Sequence, residues 1–295
     1  MNPRDDEGQT CATLCGVVYV LPMSSPIAEF RALHDRGCFV LPNPWDIGSA
    51  VALHRLGYRA LATTSAGFAF TRGLRDEVSA IPRDLMLAHI REIVAATPLP
   101  VNADFQNGYA DDPETVAANV VRCVDTGVAG LSIEDATGDQ SKPLYDRKDA
   151  IERVRSARDA IDATKTPVVL TARCEAWLVG HPEPAREAID RLVAFADAGA
   201  DCVFAPGVRD LDVIATMVKA VAPKPVNVLV SAPSPGLTVA SLTDVGVRRI
   251  SVGSALARVA WGAFLRASRR IGETGDFDAL GQAASFAELN ELFRG

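Results

Sequence analysis

The sequence predicts an α/β protein folded as a (β/α)8 barrel. Short apolar runs alternate with helical stretches eight times from residue 39 onward, which is typical of a parallel sheet whose strands are joined by helices. Polar residues follow nearly every run, as expected where a barrel presents the carboxyl ends of its strands at one face. The G-x-G-x-x-G fingerprint that would favour an open, doubly wound sheet does not follow the first run.

Each predicted strand is a short apolar run bounded by proline, glycine or polar residues. The eight runs are Phe39–Pro42, Ala60–Thr64, Pro100–Ala103, Gly130–Ile133, Pro167–Ala172, Asp201–Ala205, Pro225–Leu229 and Arg249–Val252. Glycine stands shortly before several of them, as at Gly57, Gly127 and Gly246, and it suits the left-handed cap that ends a helix before a strand.

The predicted helices carry apolar residues at helical spacing. Those between strands are Asp46–Leu56, Pro82–Ala96, Pro113–Thr126, Arg147–Ala163, Glu183–Ala198, Leu211–Val221 and Val239–Val245. A long helix over Gly253–Arg270 and an additional helix over Asp276–Phe293 follow the last strand. The additional helix exceeds what a barrel requires, so its apolar face predicts contact with a second subunit in a homodimer or homotetramer.

Length alone does not decide between one domain and two, but the eight repeated units indicate one barrel domain over residues 26–295, preceded by a peripheral or disordered extension over residues 1–25. The extension has an apolar stretch, Cys11–Pro22, that is too short to span a bilayer and follows an acidic segment, so neither a membrane partner nor a targeting signal is predicted. The formal charge of −7 argues against nucleic-acid binding. We therefore expect a small-molecule partner.

The six cysteines are scattered without a CxxC pair, which favours reduced thiols in the cytoplasm. Cys123 and Cys202 fall in a predicted helix and strand and are expected to be buried. Cys11 and Cys15 form only a CxxxC without further zinc ligands at finger spacing. The histidine His89 lies on a predicted helix and is expected at the surface or its boundary.

Acidic residues follow two neighbouring predicted strands. Asp104 ends one and Glu134 ends the next, with a helix between them, so both reach the same edge of the sheet. Asp76 lies in the loop after the second strand. These oxygen-only ligands predict Mg²⁺ or Mn²⁺, although Asp104 could instead be a structural salt-bridge acid. Arg173 emerges from an apolar strand and would be costly there unless it met an anion.

Further edge residues are candidates for substrate binding. Asp46 follows the first strand and could contact substrate or simply cap the next helix. The segment Ser65-Ala66-Gly67 could form a tight turn or a backbone cradle for an anion. Glu175 and Asn227 belong to the fifth and seventh strand ends.

Five segments together resemble the isocitrate lyase and phosphoenolpyruvate mutase superfamily, from about Ile27 to the last helix. The D-x-D-x-G-Y segment of that superfamily resembles Asp104-Phe-Gln106-Asn-Gly108-Tyr109, and its E-D pair matches Glu134-Asp135. Its A-R-x-E/D-A segment matches Ala172-Arg173-Cys-Glu175-Ala176, and its G-x-x-D loop matches Gly73-Leu-Arg-Asp76. Its backbone-amide cradle corresponds to Ser65-Ala66-Gly67.

The resemblance implies a barrel whose late helix is exchanged between subunits, and a Mg²⁺ ion that holds a 2-oxo acid or its enolate. Asp104 would be the direct protein ligand, and Asp76 and Glu134 would act mostly through water. Arg173 would contact the developing negative charge.

Two positions depart from the pattern of that superfamily. Gln106 replaces the second acid of D-x-D, which removes one negative charge but leaves a group that can orient a metal-bound water. The mobile loop resembles K-[KR]-C-G-H in isocitrate and methylisocitrate lyases and K-x-N-S in phosphoenolpyruvate mutases, but residues 138–145 contain neither. Lys142 alone carries over, either reaching the bound anion when a lid closes or lying exposed on a passive connection.

The leading functional hypothesis is a Mg²⁺-dependent lyase that cleaves a carbon–carbon bond of a small 2-oxo or 2-hydroxy di- or tricarboxylate, or decarboxylates it. Alternatives are carbon–phosphorus chemistry of the phosphoenolpyruvate mutase or phosphonopyruvate hydrolase kind, and a non-catalytic barrel that binds a carboxylate. The combination of Asp76, Asp104, Glu134 and Arg173 favours an enzyme, because a mere binder needs no water-rich metal centre.

Overall fold

Eight short parallel strands form a nearly closed barrel in the computed structural model, which describes residues 13–14, 17–18, 25–78 and 80–294. The strands are β1 (Phe39–Leu41), β2 (Leu61–Ala62), β3 (Val101–Asp104), β4 (Gly130–Glu134), β5 (Val169–Arg173), β6 (Cys202–Phe204), β7 (Val226–Leu229) and β8 (Arg249–Ser251). Consecutive strands from β2 to β8 pair in order, and β8 pairs with β1. The N–H of Ala62 donates to the carbonyl of Pro42 at 3.0 Å and joins β2 to β1. The predicted barrel is confirmed.

Helices surround the barrel and mostly match the predicted ones to within a few residues. They are α1 (Pro26–Asp35), α2 (Ile47–Arg55), α3 (Ser65–Thr71), α4 (Arg83–Ala96), α5 (Pro113–Val124), α6 (Arg147–Thr164), α7 (Pro184–Asp197), α8 (Leu211–Val221), α9 (Val239–Asp244), α10 (Ala255–Thr274) and α11 (Phe286–Leu292). Local capping explains several starts. Asp112 accepts a hydrogen bond from the N–H of Thr115 at 2.8 Å and Pro113 occupies the first position of α5.

Two helix predictions need correction. The segment Ser65–Thr71 is helix α3 and not a tight turn, because the Thr64 hydroxyl accepts the N–H of Gly67 at 3.1 Å and caps it. The single helix predicted over Asp276–Phe293 is a 3-10 turn, Asp278–Gln282, followed by α11. Ser285 separates them, because its side chain accepts the N–H of Glu288 at 3.1 Å and starts a new helix.

Helix α1 closes the amino-terminal end of the barrel. Its Phe30 and Leu33 are buried against Phe39, Ala129 and other residues at the strand starts. The remaining apolar core fills the space between the strands and the outer helices. Because one end is plugged with apolar side chains, the interior is accessible from the carboxyl ends of the strands.

Other sequence expectations have mixed outcomes. Cys123 and Cys202 are buried free thiols, as predicted. His89 is only 2% exposed and stacks on Phe68, with ring centroids 3.8 Å apart, so the expected surface position was wrong. His89 lies on the side of α4 that packs against α3, and the sequence did not predict this contact. Within the described ranges, no helix is long and apolar enough to cross a membrane.

The amino-terminal extension is described only as two short antiparallel strands, at residues 13–14 and 17–18. The rest of the predicted extension, including Cys11 and Cys15, lies outside the described residues.

Candidate active site

A cavity of about 530 Å³ opens at the carboxyl ends of the strands and descends into the barrel. Its lining includes predicted site residues from β2 to β7 and their loops: Ser65, Ala66, Asp76, Asp104, Gln106, Glu134, Arg173, Glu175 and Asn227. The parallel topology explains this convergence, because it brings all strand ends to one rim.

Arg173 forms the centre of the charged cluster at the end of β5. Its Nη1 lies 3.1 Å from Glu134 Oε2 and 3.6 Å from Asp104 Oδ1, and its Nε donates to Glu175. Burial opposes the positive charge, but the carboxylates of Glu134, Glu175 and Asp104 outweigh it and raise the pKa of Arg173 above its usual range. Arg173 is therefore a permanent cation at this rim.

Asp104 is held in one orientation by the start of α3. Its Oδ2 accepts hydrogen bonds from the N–H of Ser65 at 2.9 Å and from the Ser65 hydroxyl at 2.8 Å. Its own N–H donates to the Thr63 hydroxyl at 2.9 Å. Its Oδ1 is buried and accepts no hydrogen bond from the described residues. One carboxylate oxygen is thus fixed by hydrogen bonds, whereas the other has only the ion-pair contact with Arg173 at 3.6 Å.

A family model described as phosphoenolpyruvate phosphomutase matches residues 30–272. The chain belongs to this family. A solved structure of a Burkholderia cenocepacia protein described as a lyase/mutase superposes with a TM-score of 0.87 at 46% identity, covering 91% of this chain and 95% of that one. An uncharacterized protein of Mycobacterium tuberculosis is 34% identical over 88% of this chain and 94% of its own. The 2-methylisocitrate lyase of Salmonella typhimurium is 30% identical over 65% of each chain.

These similarities confirm the resemblance to the isocitrate lyase and phosphoenolpyruvate mutase superfamily. Homologues in this superfamily are carbon–carbon lyases, which confirms the expectation of an enzyme of this type. Enzymes of the superfamily typically depend on a divalent metal ion.

The acidic residues of the site fit a cation held mainly by one carboxylate. Among the described residues, no three histidine, cysteine or acidic side chains converge closely enough to enclose a metal. Asp104 and Glu134 instead share Arg173 as an ion-pair partner. Mg²⁺ usually keeps several waters and binds through one or two carboxylates. The Oδ1 of Asp104, which accepts no hydrogen bond from the described residues, suits that mode.

The electrostatics of the cluster also favour a cation. Burial, and then the negative charge of Asp104, raise the pKa of Asp76. Burial raises the pKa of Glu134 as well, although Arg173 opposes the rise. Burial and neighbouring carboxylates thus disfavour the charged forms of these two acids, and a divalent ion bound nearby would favour them.

Gln106 shapes the loop that carries Asp76. Its backbone adopts the left-handed conformation with φ of 45°, and its Nε2 donates to the carbonyl of Glu77 at 3.4 Å. The residue that departs from the D-x-D pattern is therefore tied to the loop after β2.

The proposed anion cradle is partly occupied by internal contacts. Gly67 does not line the cavity, and its N–H donates a hydrogen bond to the Thr64 hydroxyl. The N–H of Ser65 donates to the carboxylate of Asp104. Only the N–H of Ala66 lacks an acceptor among the described residues. Substrate binding by this segment stays a prediction.

Asp46 and Lys142, like Gly67, are absent from the residues that line the cavity. Asp46 caps α2 by accepting the N–H of Ser49 at 2.7 Å, which matches the alternative role given to it. Lys142 Nζ lies 2.7 Å from Asp146 and its side chain is 55% exposed. The structure does not bring either side chain to the cluster around Arg173.

Asp135 supports the site in a way that was not predicted from the sequence. This acid is buried, and its Oδ1 accepts the N–H of Glu175 at 2.8 Å while its Oδ2 lies 3.2 Å from Arg191. It therefore positions the backbone just after Arg173. The available signals were its place beside Glu134 and its match to the second residue of the E-D pair.

Arg249 was also not predicted as a site residue, yet it lines the cavity from β8 and is 2% exposed. The signal was present, because Arg249 begins an apolar strand as Arg173 ends one.

Proposed function

We propose that the protein is a Mg²⁺- or Mn²⁺-dependent lyase that acts on a small 2-oxo or 2-hydroxy di- or tricarboxylate, cleaving a carbon–carbon bond or releasing CO₂. The observation that carries this proposal is the Asp104 oxygen that accepts no hydrogen bond from the described residues, beside the permanently charged Arg173 at the rim of the cavity. A metal-binding oxygen and an arginine at adjacent positions suit a substrate whose carboxylate and 2-oxygen lie side by side.

The residues of the chain have distinct parts in this reaction. Ser65 fixes Asp104 through two hydrogen bonds, so the carboxylate does not have to reorganise when the reaction begins. Arg173 binds the substrate carboxylate and stabilises negative charge that develops on the 2-oxygen. Glu175 and Glu134 hold the guanidinium in place. The metal, when bound, would supply Lewis-acid stabilisation of the same charge.

The loop over residues 138–145 would exclude water during the reaction. Its two ends are joined by an antiparallel bridge between Ala136 and Leu144, and the N–H of Thr137 donates to Pro143 at 3.0 Å. The tip that carries Lys142 is exposed. A fixed base with an exposed tip is suited to a lid, and closure would carry the lysine toward the cavity.

The metal assignment is tested by calorimetric titration of Mg²⁺ into Asp104→Ala, with Asp159→Ala, an exposed acid on α6, as the matched control. Metal binding should be lost in Asp104→Ala and retained in the control, with both proteins folded by circular dichroism. Unchanged Mg²⁺ affinity in Asp104→Ala would show that this carboxylate is not the ligand.

The reaction class is tested by a Mg²⁺-supplemented screen of 2-oxo and 2-hydroxy acids for release of pyruvate or glyoxylate. A second candidate is carbon–phosphorus chemistry, favoured by the description of the family model as a phosphomutase. Release of pyruvate from oxaloacetate but not from phosphonopyruvate would support the lyase, and the reverse would support the phosphonate activity.

We also propose that the protein forms a homo-oligomer through its carboxyl-terminal helices. Large apolar side chains on α10 and the segments after it are exposed, with Val259 68%, Phe264 58% and Phe286 89% exposed. Large apolar side chains exposed in this number suit a surface that a partner covers. A second copy fits, because members of a closed dimer can cover the same patch on each other.

A further inference from the structure

Arg249 is a buried cation inside the barrel, and all of its side-chain partners are neutral. Its Nε donates to Asn227 Oδ1 at 2.9 Å, and its Nη2 donates to the Thr171 hydroxyl at 3.0 Å. Its Nη1 lies 3.4 Å from His34 Nε2. Burial lowers the pKa of His34 to about 3, with the charge of Arg249 as the next cause, so the imidazole accepts as a neutral group.

A buried guanidinium without a counter-ion is costly, and an anion should accompany it. Arg173, by contrast, contacts three carboxylates in the same cavity. Among the described residues, no acidic side chain forms a salt bridge with Arg249, and the cavity reaches it. Two of its five N–H groups have no acceptor in these contacts. The missing anion can therefore come from a ligand.

The position of Arg249 places this charge below Arg173. Its partner Thr171 precedes Arg173 by two residues on β5, so the two levels are about 7 Å apart along the strand. Asn227 links Arg249 to Ser251, because its Oδ1 accepts from Arg249 and its Nδ2 donates to the Ser251 hydroxyl at 2.9 Å. The floor of the cavity thus presents a cation and a hydroxyl, whereas its rim presents carboxylates around Arg173.

We propose that Arg249, with Ser251, binds a second carboxylate of the substrate at the floor of the cavity. The substrate is then a short dicarboxylate, with its 2-oxo or 2-hydroxy acid end at Asp104 and Arg173 and its distal carboxylate at Arg249. This inference rests on the proposed function, and it makes Arg249 the residue that selects dicarboxylates over monocarboxylates.

The test compares ligands that differ by one carboxylate. Affinities of the full-length protein with Mg²⁺ are measured by calorimetry for L-malate, L-lactate and oxalate. Malate and lactate share the 2-hydroxy acid end, and oxalate is too short to span both levels. Wild type should bind malate more tightly than lactate, and Arg249→Gln should weaken malate binding about 10- to 100-fold while leaving oxalate binding unchanged.

Three further variants determine whether the preference for malate depends on Arg249 itself. Arg248→Gln removes the neighbouring charge, whose Nη1 donates to Gly37 outside the cavity, and should leave the malate-to-lactate ratio unchanged. Arg258→Gln removes an exposed arginine at the cavity mouth and should also leave it unchanged. Arg249→Lys keeps the charge and should restore part of the malate affinity. Melting temperatures show that each variant is folded.

The outcomes distinguish this inference from the proposed function. If wild type binds none of the three ligands, the proposed function fails. If oxalate binds but malate binds no more tightly than lactate, the distal site at Arg249 is wrong. It is also wrong if Arg258→Gln, and not Arg249→Gln, abolishes the tighter binding of malate. Equal loss of all three ligands in Arg249→Gln would likewise overturn it, because it would indicate only structural support.

Discussion

The buried ion pair between Asp135 and Arg191 should contribute strongly to stability and should behave as a unit. Asp135 is 3% exposed and Arg191 is 5% exposed, and their facing atoms are 3.2 Å apart. Arg191 also donates to the carbonyl of Tyr145 at 3.0 Å and to Glu187 at 2.5 Å. The pair thus joins β4 to α7 and to the end of the proposed lid. Asp135→Asn and Arg191→Met each remove one partner with little change in volume.

The expected magnitudes follow from burial. Removing one partner of a buried pair leaves an unpaired charge and costs about 3 to 5 kcal/mol. Asp135→Asn should fall at the lower end, because Glu187 still faces Arg191. The double variant no longer buries an isolated charge and should be about 2 kcal/mol more stable than the sum of the single effects predicts.

The assay is urea unfolding followed by tryptophan fluorescence, with the free energy of unfolding compared in a double-mutant cycle. The matched control is the exposed pair Glu152 and Arg155 on α6, with side chains 43% and 51% exposed. Its coupling through Glu152→Gln and Arg155→Met should stay below about 0.5 kcal/mol. Additive single effects at Asp135 and Arg191, within about 0.5 kcal/mol, would refute the reasoning.

Three further outcomes are expected. Lys142→Ala should reduce turnover strongly while blocking of accessible thiols does not, and full turnover of Lys142→Ala on the substrate found in the screen would remove this lysine from the site. Deleting the chain after Gly272 should cause dissociation or aggregation in sedimentation analysis, whereas a stable full-length monomer at micromolar concentration would contradict the oligomer. Burial, and then Arg72, lower the pKa of His89 to about 4, so the unfolded state binds the proton first as pH falls below 6.5. The free energy of unfolding should therefore drop by about 2 kcal/mol between pH 6.5 and 5. Urea unfolding of His89→Phe should show a smaller drop over the same pH range. An equal drop in the wild type and in His89→Phe would contradict this assignment.

The fold and most of the rim residues were predictable because they depend on local patterns. Apolar runs with helices between them require parallel strands, and parallel strands bring Asp104, Glu134 and Arg173 to one edge whatever their partners are. Helix α8 was predicted at its observed bounds, Leu211–Val221, because its apolar residues recur at helical spacing over that whole range.

Only the tertiary structure decided which side chains meet. Ser65 and Asp104 are 39 residues apart in the chain, and no local pattern indicates that the start of α3 holds this carboxylate. Arg173 and Arg249 look alike in sequence, yet one contacts three acids and the other none among the described residues. That difference arises because hydrogen-bond and ion-pair partners come from strands distant in sequence, and their distances are set only when the barrel closes.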